Sequence, residues 1–389
     1  MTSTAEDIHR YRRALEGLLG VPATEGNHID VLRNGDEIFP AVFDAIRSAR
    51  RTVDFLTFVY WEGSIGEEVA EALIERAKAG VRVRVLLDAV GSHTMDSRLV
   101  EEMDRAGCLV ERFRPVTKVK FWENNHRTHR KVLICDEEVA FTGGVGIADE
   151  WRGQARNAAE WRDTHFRVRG PAVDGLRAAF LQNWAESRRA LFDEGVDQFP
   201  EQPQDGPSLV QVIRGESVAH WSDITTLMRS LLCLAQRRVR ITTAYFVPDE
   251  GTSELLCGAA GRGVDVQVLL PGPHIDKRFV QVAAESQYAD LLEAGVKLWT
   301  YQPTMLHAKV MTVDGLIANV GSANFDSRSL VLDDEVNLVV FDPQVVAELD
   351  RHFDEDLDRS KPVEPGKWDD RTIVQRARET VAGLVDEHL

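Results

Sequence analysis

An internal repeat constrains this chain more than any other feature of its sequence. In each half a predicted helix ends at a glycine, Gly80 or Gly263, and a strand with alternating valines follows. A second predicted helix ends at Gly107 or at Gly295, again with a strand after it. The first two glycines are 183 residues apart and the second two are 188 apart. A period of this length indicates a duplicated domain, since solenoid repeats are much shorter.

Helices that alternate with apolar strands are typical of α/β proteins. The predicted fold is therefore two duplicated α/β lobes, each with a mixed, largely parallel sheet flanked by helices. Residues 192–208 combine Pro, Gly, Gln and acidic residues without periodicity, which indicates a join between the lobes. The predicted division is an N-terminal helical extension 1–30, a first lobe 31–195, a linker 196–208, a second lobe 209–360 and a C-terminal helical tail 361–389.

The charge of the chain disfavours one class of function. It carries 63 acidic and 46 basic residues, a net charge of −17, which argues against a protein that coats nucleic acid through bulk positive charge. We find no run of 18 apolar residues and no signal-peptide pattern at the start, so the sequence predicts a cytoplasmic protein. The four cysteines are spaced neither as zinc ligands nor as a disulfide framework, which favours buried, reduced thiols.

One short motif occurs at the same place in both halves. It reads His-x-Lys-x4-Asp and comprises His129, Lys131 and Asp136 in the first half and His307, Lys309 and Asp314 in the second. Each copy is predicted to form a β-hairpin, because turn residues, Asp-Gly in the second copy, separate two apolar runs. Alternate residues of a strand share a face, so the His and Lys of each copy should project together. We expect both pairs to meet at a pseudo-twofold interface between the lobes.

This set of side chains suits displacement at a phosphodiester. Such a reaction needs a nucleophile, an acid for the leaving oxygen and positive donors around the non-bridging oxygens. Two imidazoles supply the first two roles, and two ammonium groups supply the third. We therefore expect no metal and no other cofactor. The spacing of His126 and His129 would also suit two metal ligands, but a basic loop that runs into the strand explains it more simply.

The second copy of the motif is followed by Gly-Ser-Ala-Asn at 321–324. Two copies of His-x-Lys-x4-Asp on a duplicated α/β fold, the second with this extension, resemble the phospholipase D superfamily. Within it, the chain most resembles the bacterial cardiolipin synthases. The matching stretches cover most of 31–345 and include 31–50, 126–144, 161–173, 242–250, 261–271 and 307–330. The resemblance implies a phosphatidyltransferase that acts on phosphatidylglycerol or a related phospholipid by a ping-pong mechanism through a phosphohistidine.

Two other functions remain open at this point. A hydrolase of the same superfamily, acting on phospholipid or on nucleic acid, would carry the same motifs, although the acidic charge of the chain argues against nucleic acid. A lipid-binding scaffold without activity is the third possibility, and two intact His/Lys sets argue against it.

The resemblance also implies roles within the site. His129 would be the nucleophile, and His307 would be the general acid and then the general base. The residues implied to bind phosphoryl oxygens are Lys131, Lys309, Ser322 and Asn324, whereas Asp136 and Asp314 are expected to be structural members of the motif. Gly146 departs from the family pattern, because it stands where the second lobe has Asn324 and so removes one amide donor from the first lobe.

A nucleophilic imidazole needs an acceptor for the proton on its other nitrogen. The second lobe offers Glu335, 28 residues after His307, where the resemblance places such a carboxylate. The first lobe offers Asp163, 34 residues after His129, and the longer spacing indicates a loop insertion at 150–161. The sequence thus predicts that each lobe orients its own histidine.

A phospholipid substrate requires contact with a membrane. Residues 112–131 contain seven basic and three aromatic residues but one acidic residue, namely Arg112, Arg114, Lys118, Lys120, Arg127, Arg130, Lys131, Phe113, Phe121, Trp122 and Glu123. We expect this segment to dock on an anionic phospholipid surface at the inner face of the cell membrane. An amphipathic stripe at 370–389 would either pack on its own domain or contact the membrane. The sequence predicts no oligomeric state.

Overall fold

The structure is a computed structural model. It describes residues 4–115, 126–187, 199–216, 222–276, 288–326 and 328–364. The predicted tail beyond residue 364 and linker residues 196–198 therefore lie outside the described residues.

The first lobe contributes seven strands to one large sheet. The elements of residues 4–187 are α1 (Thr4–Leu19), β1 (Thr24–Arg33), α2 (Gly35–Ser48), β2 (Thr52–Thr57), α3 (Ser64–Lys78), β3 (Arg82–Asp88), α4 (Ser97–Ala106), β4 (Leu109–Phe113), β5 (Val132–Cys135), β6 (Val139–Gly143), a 3-10 turn (Asp149–Trp151), β7 (Thr164–Arg169) and α5 (Ala172–Glu186). Of the range 1–30 predicted as a helical extension, residues 4–19 form α1, and residues 24–30 are not helical. Those residues begin strand β1, because Asn27, Ile29 and Val31 alternate into the protein interior.

The second lobe repeats this plan. Its elements are β8 (Ser208–Gly215), α6 (Asp223–Leu234), β9 (Arg238–Thr242), β10 (Phe246–Val247), α7 (Glu250–Gly261), β11 (Asp265–Pro271), α8 (Tyr288–Glu293), β12 (Lys297–Tyr301), β13 (Val310–Val313), β14 (Ile317–Gly321), β15 (Phe325–Asp326), a π-helical turn (Arg328–Leu332), β16 (Glu335–Phe341), α9 (Pro343–Leu357) and β17 (Ser360–Pro362). The predicted boundary at 360/361 falls inside the edge strand β17, which pairs with β12.

The two lobes form one continuous sheet, in the order β17-β12-β11-β9-β13-β14-β16-β8-β1-β7-β6-β5-β2-β3-β4. The order of strands from the centre of the sheet outward is equivalent in the two lobes. It is β1-β7-β6-β5-β2-β3-β4 in the first lobe and β8-β16-β14-β13-β9-β11-β12 in the second. Strands β1 and β8 join the halves as an antiparallel pair, with Thr24 opposite Val210 and Asn27 opposite Ser208. The duplicated α/β architecture predicted from the repeat is therefore confirmed.

The expectation of largely parallel sheets is wrong in detail. Within the described part of the large sheet, the parallel pairs are β2–β3–β4 and β9–β11–β12, which helical crossovers connect. The inner strands pair antiparallel, since β5 and β6, like β13 and β14, are hairpins. Both hairpins turn through two residues with positive φ, at 136–137 and 314–315. This geometry fits the tight turns that connect adjacent antiparallel strands.

A shared apolar core holds the lobes together. One cluster contains Val168 of β7, Phe180 of α5, Leu338 of β16 and Val346 of α9, so side chains from both lobes fill it. Helix α1 precedes the first lobe in the chain but packs on the second, where Tyr11 is fully buried. The lobes therefore form a single folded unit across which a site can be fixed.

Candidate active site

The two copies of the motif meet in one cavity, which is open to solvent at its mouth. His129, Lys131 and His307 line it, and Lys309 touches the ring of His307. Both histidines are largely buried, with 9% and 6% of their surface exposed. The first strand of each hairpin begins directly after the lysine of the motif, at Val132 in the first lobe and at Val310 in the second.

Each histidine is held by a carboxylate of the other lobe. Nδ1 of His129 lies 2.8 Å from Oε1 of Glu335, and Nδ1 of His307 lies 2.8 Å from Oδ2 of Asp163. Both carboxylates are fully buried. The prediction that each lobe orients its own histidine is therefore wrong, and the pairing is crosswise.

Two short backbone bridges between the lobes explain the crosswise pairing. In the first, Thr128 pairs in parallel with Asp334, and the backbone N–H of His129 donates to the carbonyl of Asp334 at 2.9 Å. This places His129 beside Glu335. In the second, Arg162 pairs with Leu306 in the same way, and the N–H of His307 donates to the carbonyl of Arg162 at 2.7 Å.

The two lysines are buried beside the histidines. Nζ of Lys131 donates to the carbonyl of His129 at 2.9 Å, and its ammonium lies over the ring of Phe58. Nζ of Lys309 lies 3.0 Å from Nδ1 and 3.2 Å from Nε2 of His307. Burial lowers the pKa of Lys131, and it lowers the pKa of Lys309 to about 8. Buried ammonium groups favour an anionic ligand, because its charge would offset their lost hydration.

The two histidine–carboxylate pairs differ in their electrostatics. Burial and the neighbouring charge of Lys309 lower the pKa of His307 to about 4, so its imidazole is neutral near pH 7. Although burial opposes ionisation of Asp163, its hydrogen bond to His307 keeps the pKa of this carboxyl below its ordinary value. Burial raises the pKa of Glu335, an effect that the charge of Lys131 opposes. The Asp163 pair therefore keeps a defined carboxylate acceptor for the proton on Nδ1 of His307.

The aspartates of the two motifs lie at the hairpin turns and brace the scaffold. The carboxylate of Asp136 accepts backbone N–H groups of residues 50–52, at 2.6–3.0 Å. Asp314 accepts those of residues 236–238 and also the hydroxyl of Tyr11 at 2.8 Å. Neither aspartate lines the cavity. The hydrogen bonds described for both aspartates are thus made with the scaffold, and their structural role stays a prediction.

The residues predicted to bind phosphoryl oxygens occupy different places. Asn324 lines the cavity, as Lys131 does. The hydroxyl of Ser322 donates instead to Oε2 of Glu335, and its side chain is fully buried behind the carboxylate. Ser322 is thus a partner of the orienting carboxylate and does not line the cavity, and its predicted contact with phosphate stays a prediction. Gly146, the counterpart of Asn324, packs against Val59.

Comparison with known proteins agrees with this architecture. The family model described as cardiolipin synthase, PLD-like domain, matches residues 42–159 and 228–357. Cardiolipin synthase 1 of Bacillus cereus is 32% identical over 374 residues, which cover 94% of this chain and 73% of that protein. Cardiolipin synthase of Geobacillus thermodenitrificans is 36% identical over 368 residues, with the same coverage. The chain belongs to the cardiolipin synthase family.

Two solved structures share the fold of this family member. Phosphatidylserine synthase of Haemophilus influenzae superposes with a TM-score of 0.70 at 14% identity and covers 97% of both chains. Polyphosphate kinase of Porphyromonas gingivalis gives a TM-score of 0.60 at 11% identity, over 93% of this chain and 53% of the kinase. The family assignment confirms the predicted enzyme class: the protein is a phospholipid-modifying phosphatidyltransferase of the phospholipase D superfamily.

Sequence reasoning missed most of the cavity wall of this cardiolipin synthase family member. The first lobe supplies an apolar side, made of Phe58, Val59, Trp61, Trp151 and Trp161. The second lobe supplies a polar side, made of Tyr245, Asp276, Asn324, Asp326, Arg328, Ser329 and Asp333. Residues 58–61 and 245–247 were open to prediction, because each follows the first strand of a parallel set and such strand ends meet at one edge. Trp151 and Trp161 lie in the segment 150–161 that the repeat marked only as an insertion.

The basic segment 112–131, which was predicted to face the membrane, is only partly exposed in its described residues. Arg127 and Arg130 are fully buried, the first in an ion pair with Asp88, and Lys131 lies in the active site. Arg114 is half-buried and pairs with Glu186. The prediction that all seven basic residues form a docking surface is therefore wrong for these buried residues. Its members Lys118, Lys120, Phe121, Trp122 and Glu123 lie outside the described residues.

Two further findings concern the helices of the described chain and the residue His126. None of its helices has the length and apolar character needed to cross a bilayer. His126, considered above as a metal ligand, has its Nδ1 atom 3.0 Å from the carbonyl oxygen of Leu332.

Proposed function

We propose that this protein joins two phosphatidylglycerol molecules into cardiolipin and glycerol by a ping-pong reaction on its two histidines. The observation that carries the proposal is the crosswise arrangement itself. Two imidazoles, each with Nδ1 on a buried carboxylate, share one cavity with the buried ammonium group of Lys131, and the ammonium group of Lys309 touches the ring of His307. This supplies a nucleophile, a proton carrier and positive charge for one phosphodiester.

In the first half-reaction, Nε2 of His129 attacks the phosphorus of phosphatidylglycerol. A P–N bond forms, the P–O bond to the glycerol headgroup breaks, and His307 donates a proton to the departing glycerol oxygen. The assignment of attack to His129 follows the family resemblance. The negative charge of a bound phosphodiester would raise the low pKa of His307 and so favour its protonated form.

In the second half-reaction, a headgroup hydroxyl of another phosphatidylglycerol attacks the phosphatidyl-histidine. His307, now neutral, takes the proton of that hydroxyl. A new P–O bond forms, the P–N bond breaks, and the electron pair returns to His129. Lys131 and Lys309 stabilise the negative charge on the non-bridging oxygens in both steps, and Asn324 binds the same phosphoryl group from the cavity wall.

The shape of the cavity supports a lipid substrate. Its aromatic side offers apolar contact for the glycerol and proximal acyl region of a phospholipid, while the polar side offers partners for a hydroxylated headgroup. We infer that the enzyme works at the inner face of the cell membrane as a peripheral protein. Of the basic segment, Arg112 is half-buried, and residues 116–125 lie outside the described residues.

Incubation with phosphatidylglycerol vesicles tests the proposal. We expect cardiolipin and glycerol in equal amounts, by lipid mass spectrometry and an enzymatic glycerol assay. Phosphatidic acid as the main product would make water the acceptor and the protein a hydrolase. Absence of any cleavage by a folded protein would contradict the proposal altogether.

Acid-free quenching followed by peptide mass spectrometry tests the covalent step. The adduct should appear on the peptide that contains His129, and it should be absent from His129→Ala. An adduct on His307 would reverse the assigned roles while keeping the ping-pong scheme.

Vesicle sedimentation should show binding that increases with the anionic lipid fraction, and binding independent of that fraction would contradict the docking inference.

A further inference from the structure

The two lobes stabilise their orienting carboxylates with different hydrogen-bond donors. In the second lobe, Ser322 donates its hydroxyl proton to Glu335 and accepts the backbone N–H of Val336 at 3.1 Å. The serine thus relays a backbone donor to a carboxylate. Ser322 is fully buried, so its hydroxyl is shielded from bulk solvent.

The first lobe has no room for an equivalent serine. Gly144 is the counterpart of Ser322, and a Cβ atom there would lie 2.2 Å from Oδ1 of Asp163. Oδ1 accepts the backbone N–H of Thr164 directly, at 2.7 Å. Glycine at 144 therefore lets the carboxylate occupy the space that a serine side chain fills in the other lobe.

The second donor in the first lobe comes from a tryptophan. The indole Nε1–H of Trp151 donates to Oδ2 of Asp163 at 2.8 Å, and Oδ2 is the same oxygen that faces Nδ1 of His307. Trp151 is buried, and its ring meets that of His307 edge to face with centroids 5.2 Å apart. Gly146 accommodates this arrangement, because a Cβ atom there would lie 3.3 Å from Trp151 and 2.6 Å from Val59.

We propose that Trp151 is a positioning residue for His307: its indole N–H fixes Asp163, and Asp163 in turn sets the tautomer and orientation of the imidazole. The glycines at 144 and 146 create the space in which an indole takes over the work that Ser322 does for Glu335. This inference deepens the proposed function and rests on it, because it assigns Trp151 to the histidine that carries the proton in both half-reactions.

The physical effect of the indole is electrostatic as well as geometric. A donor to the carboxylate stabilises its negative charge, so its removal should raise the pKa of Asp163. The less compensated carboxylate would also stabilise the imidazolium form and raise the pKa of His307. The charged and titratable groups that act on this pair are Lys309 and Lys131, which interact with His307, and His165, which interacts with Asp163.

The test replaces the indole N–H without changing the shape of the ring. The sharpest variant carries 3-benzothienylalanine at position 151, in which sulfur takes the place of the N–H, and Trp151→Phe is the simpler companion. For both we expect kcat to fall by about tenfold, the scale of losing a supporting hydrogen bond behind a catalytic group, with KM little changed. The limb of the kcat/KM–pH profile that reports His307 should move to higher pH.

Two variants serve as matched controls. Trp161→Phe trims the neighbouring ring, which contacts His307 with centroids 5.5 Å apart, and should leave the His307 limb in place. Ser322→Ala removes the donor of the other carboxylate and should also leave that limb in place. Wild-type rate and profile for the benzothienyl variant would overturn the proposal, as would an equal shift in Trp161→Phe.

The outcome can be separated from the fate of the proposed function. The acceptor is identified first with the unmodified protein, and all variants are then measured on whichever phosphodiester that protein cleaves. A hydrolase would thus contradict the transferase proposal while still showing whether Trp151 supports His307.

Discussion

The first lobe secures Asp163 with an indole and a backbone N–H, whereas the second secures Glu335 through a serine hydroxyl. Away from the cavity the lobes agree closely, since Asp136 and Asp314 each accept three consecutive backbone N–H groups. The comparison teaches that the repeat fixes the scaffold and the crosswise bridges, while the two histidines sit in chemically different surroundings. A duplicated fold can thus hold two histidines with unequal tasks.

Removal of the orienting carboxylates should give the largest effect. In Asp163→Asn and Glu335→Gln an amide faces Nδ1 and favours the wrong imidazole tautomer, so we expect kcat to fall by about 10³-fold or more. A phosphatidyl ester of p-nitrophenol separates the two, because its leaving group departs without a general acid. Asp163→Asn, which disables the acid His307, should recover most of its first-step burst on this substrate, and Glu335→Gln should not. The reverse pattern would contradict either the crosswise pairing or the assigned roles.

Loss of either ammonium group should follow in size. We expect Lys131→Met and Lys309→Met to lower kcat/KM by about 10²–10³-fold, since each removes a charge that stabilises the phosphoryl oxygens. Lys297→Met is the control, because this lysine pairs with Asp265 on the surface and should leave the rate unchanged. Equal rates for Lys297→Met and Lys309→Met would argue against charge stabilisation by Lys309.

The same lysine gives a pH prediction with a defined sign. The pKa of Lys309 is about 8, so its cation is present below this pH in the free enzyme and is lost above it. We therefore expect kcat/KM to decline as the pH rises through about 8. In Lys309→Arg the guanidinium stays charged, so the part of the alkaline decline that comes from Lys309 should disappear, while the part from Lys131, whose pKa burial also lowers, should stay. An unchanged alkaline limb in this variant would assign the decline to another group.

Making the first lobe more like the second should cost stability. In Gly146→Asn the new side chain would meet Val59, so we expect the free energy of unfolding to fall by about 1–3 kcal/mol in urea titrations. Gly17→Ala is the matched control: it lies in helix α1 with open space around it and should gain about 0.5–1 kcal/mol. A neutral Gly146→Asn would show that the site tolerates an asparagine and would weaken the distinction between the lobes.

The smallest effect should come from Tyr11, which has no counterpart in the contacts of Asp136. Tyr11→Phe removes the hydroxyl that donates to Asp314, and we expect a loss of about 1 kcal/mol in unfolding free energy with no change in kcat. Thermal and urea unfolding measure the first quantity, and the vesicle assay measures the second. A drop in kcat without a drop in stability would give Asp314 a part in the chemistry.

The repeat made the fold and the reacting groups accessible from sequence. Glycine-terminated helices, alternating valines and the Asp-Gly turn are local signals, so the alternation of helices and strands in each lobe and the two hairpins follow from them. The error about parallel strands has a local cause as well. Helical crossovers make β2–β3–β4 parallel, but the hairpin at 132–143 reverses the chain inside the same sheet.

The pairing of histidines with carboxylates was beyond the sequence. Because both lobes carry the same motif and a carboxylate strand, own-lobe and crosswise pairings have identical patterns. The contacts that decide between them join residues far apart in the chain, such as Thr128 with Asp334. The burial of Arg127 and Arg130 could not be predicted from the sequence for a similar reason, because their hydrogen-bond partners lie on other elements.

Proton NMR of protein labelled with ¹⁵N-histidine tests the crosswise site most directly. The Nδ1 protons of His129 and His307, shared with carboxylates, should give two far-downfield signals, each assigned by its loss in His129→Gln or His307→Gln. We predict that Glu335→Gln abolishes the His129 signal and leaves that of His307, and that Asp163→Asn does the opposite. Loss of the signal from the histidine of the same lobe in each variant would contradict the account.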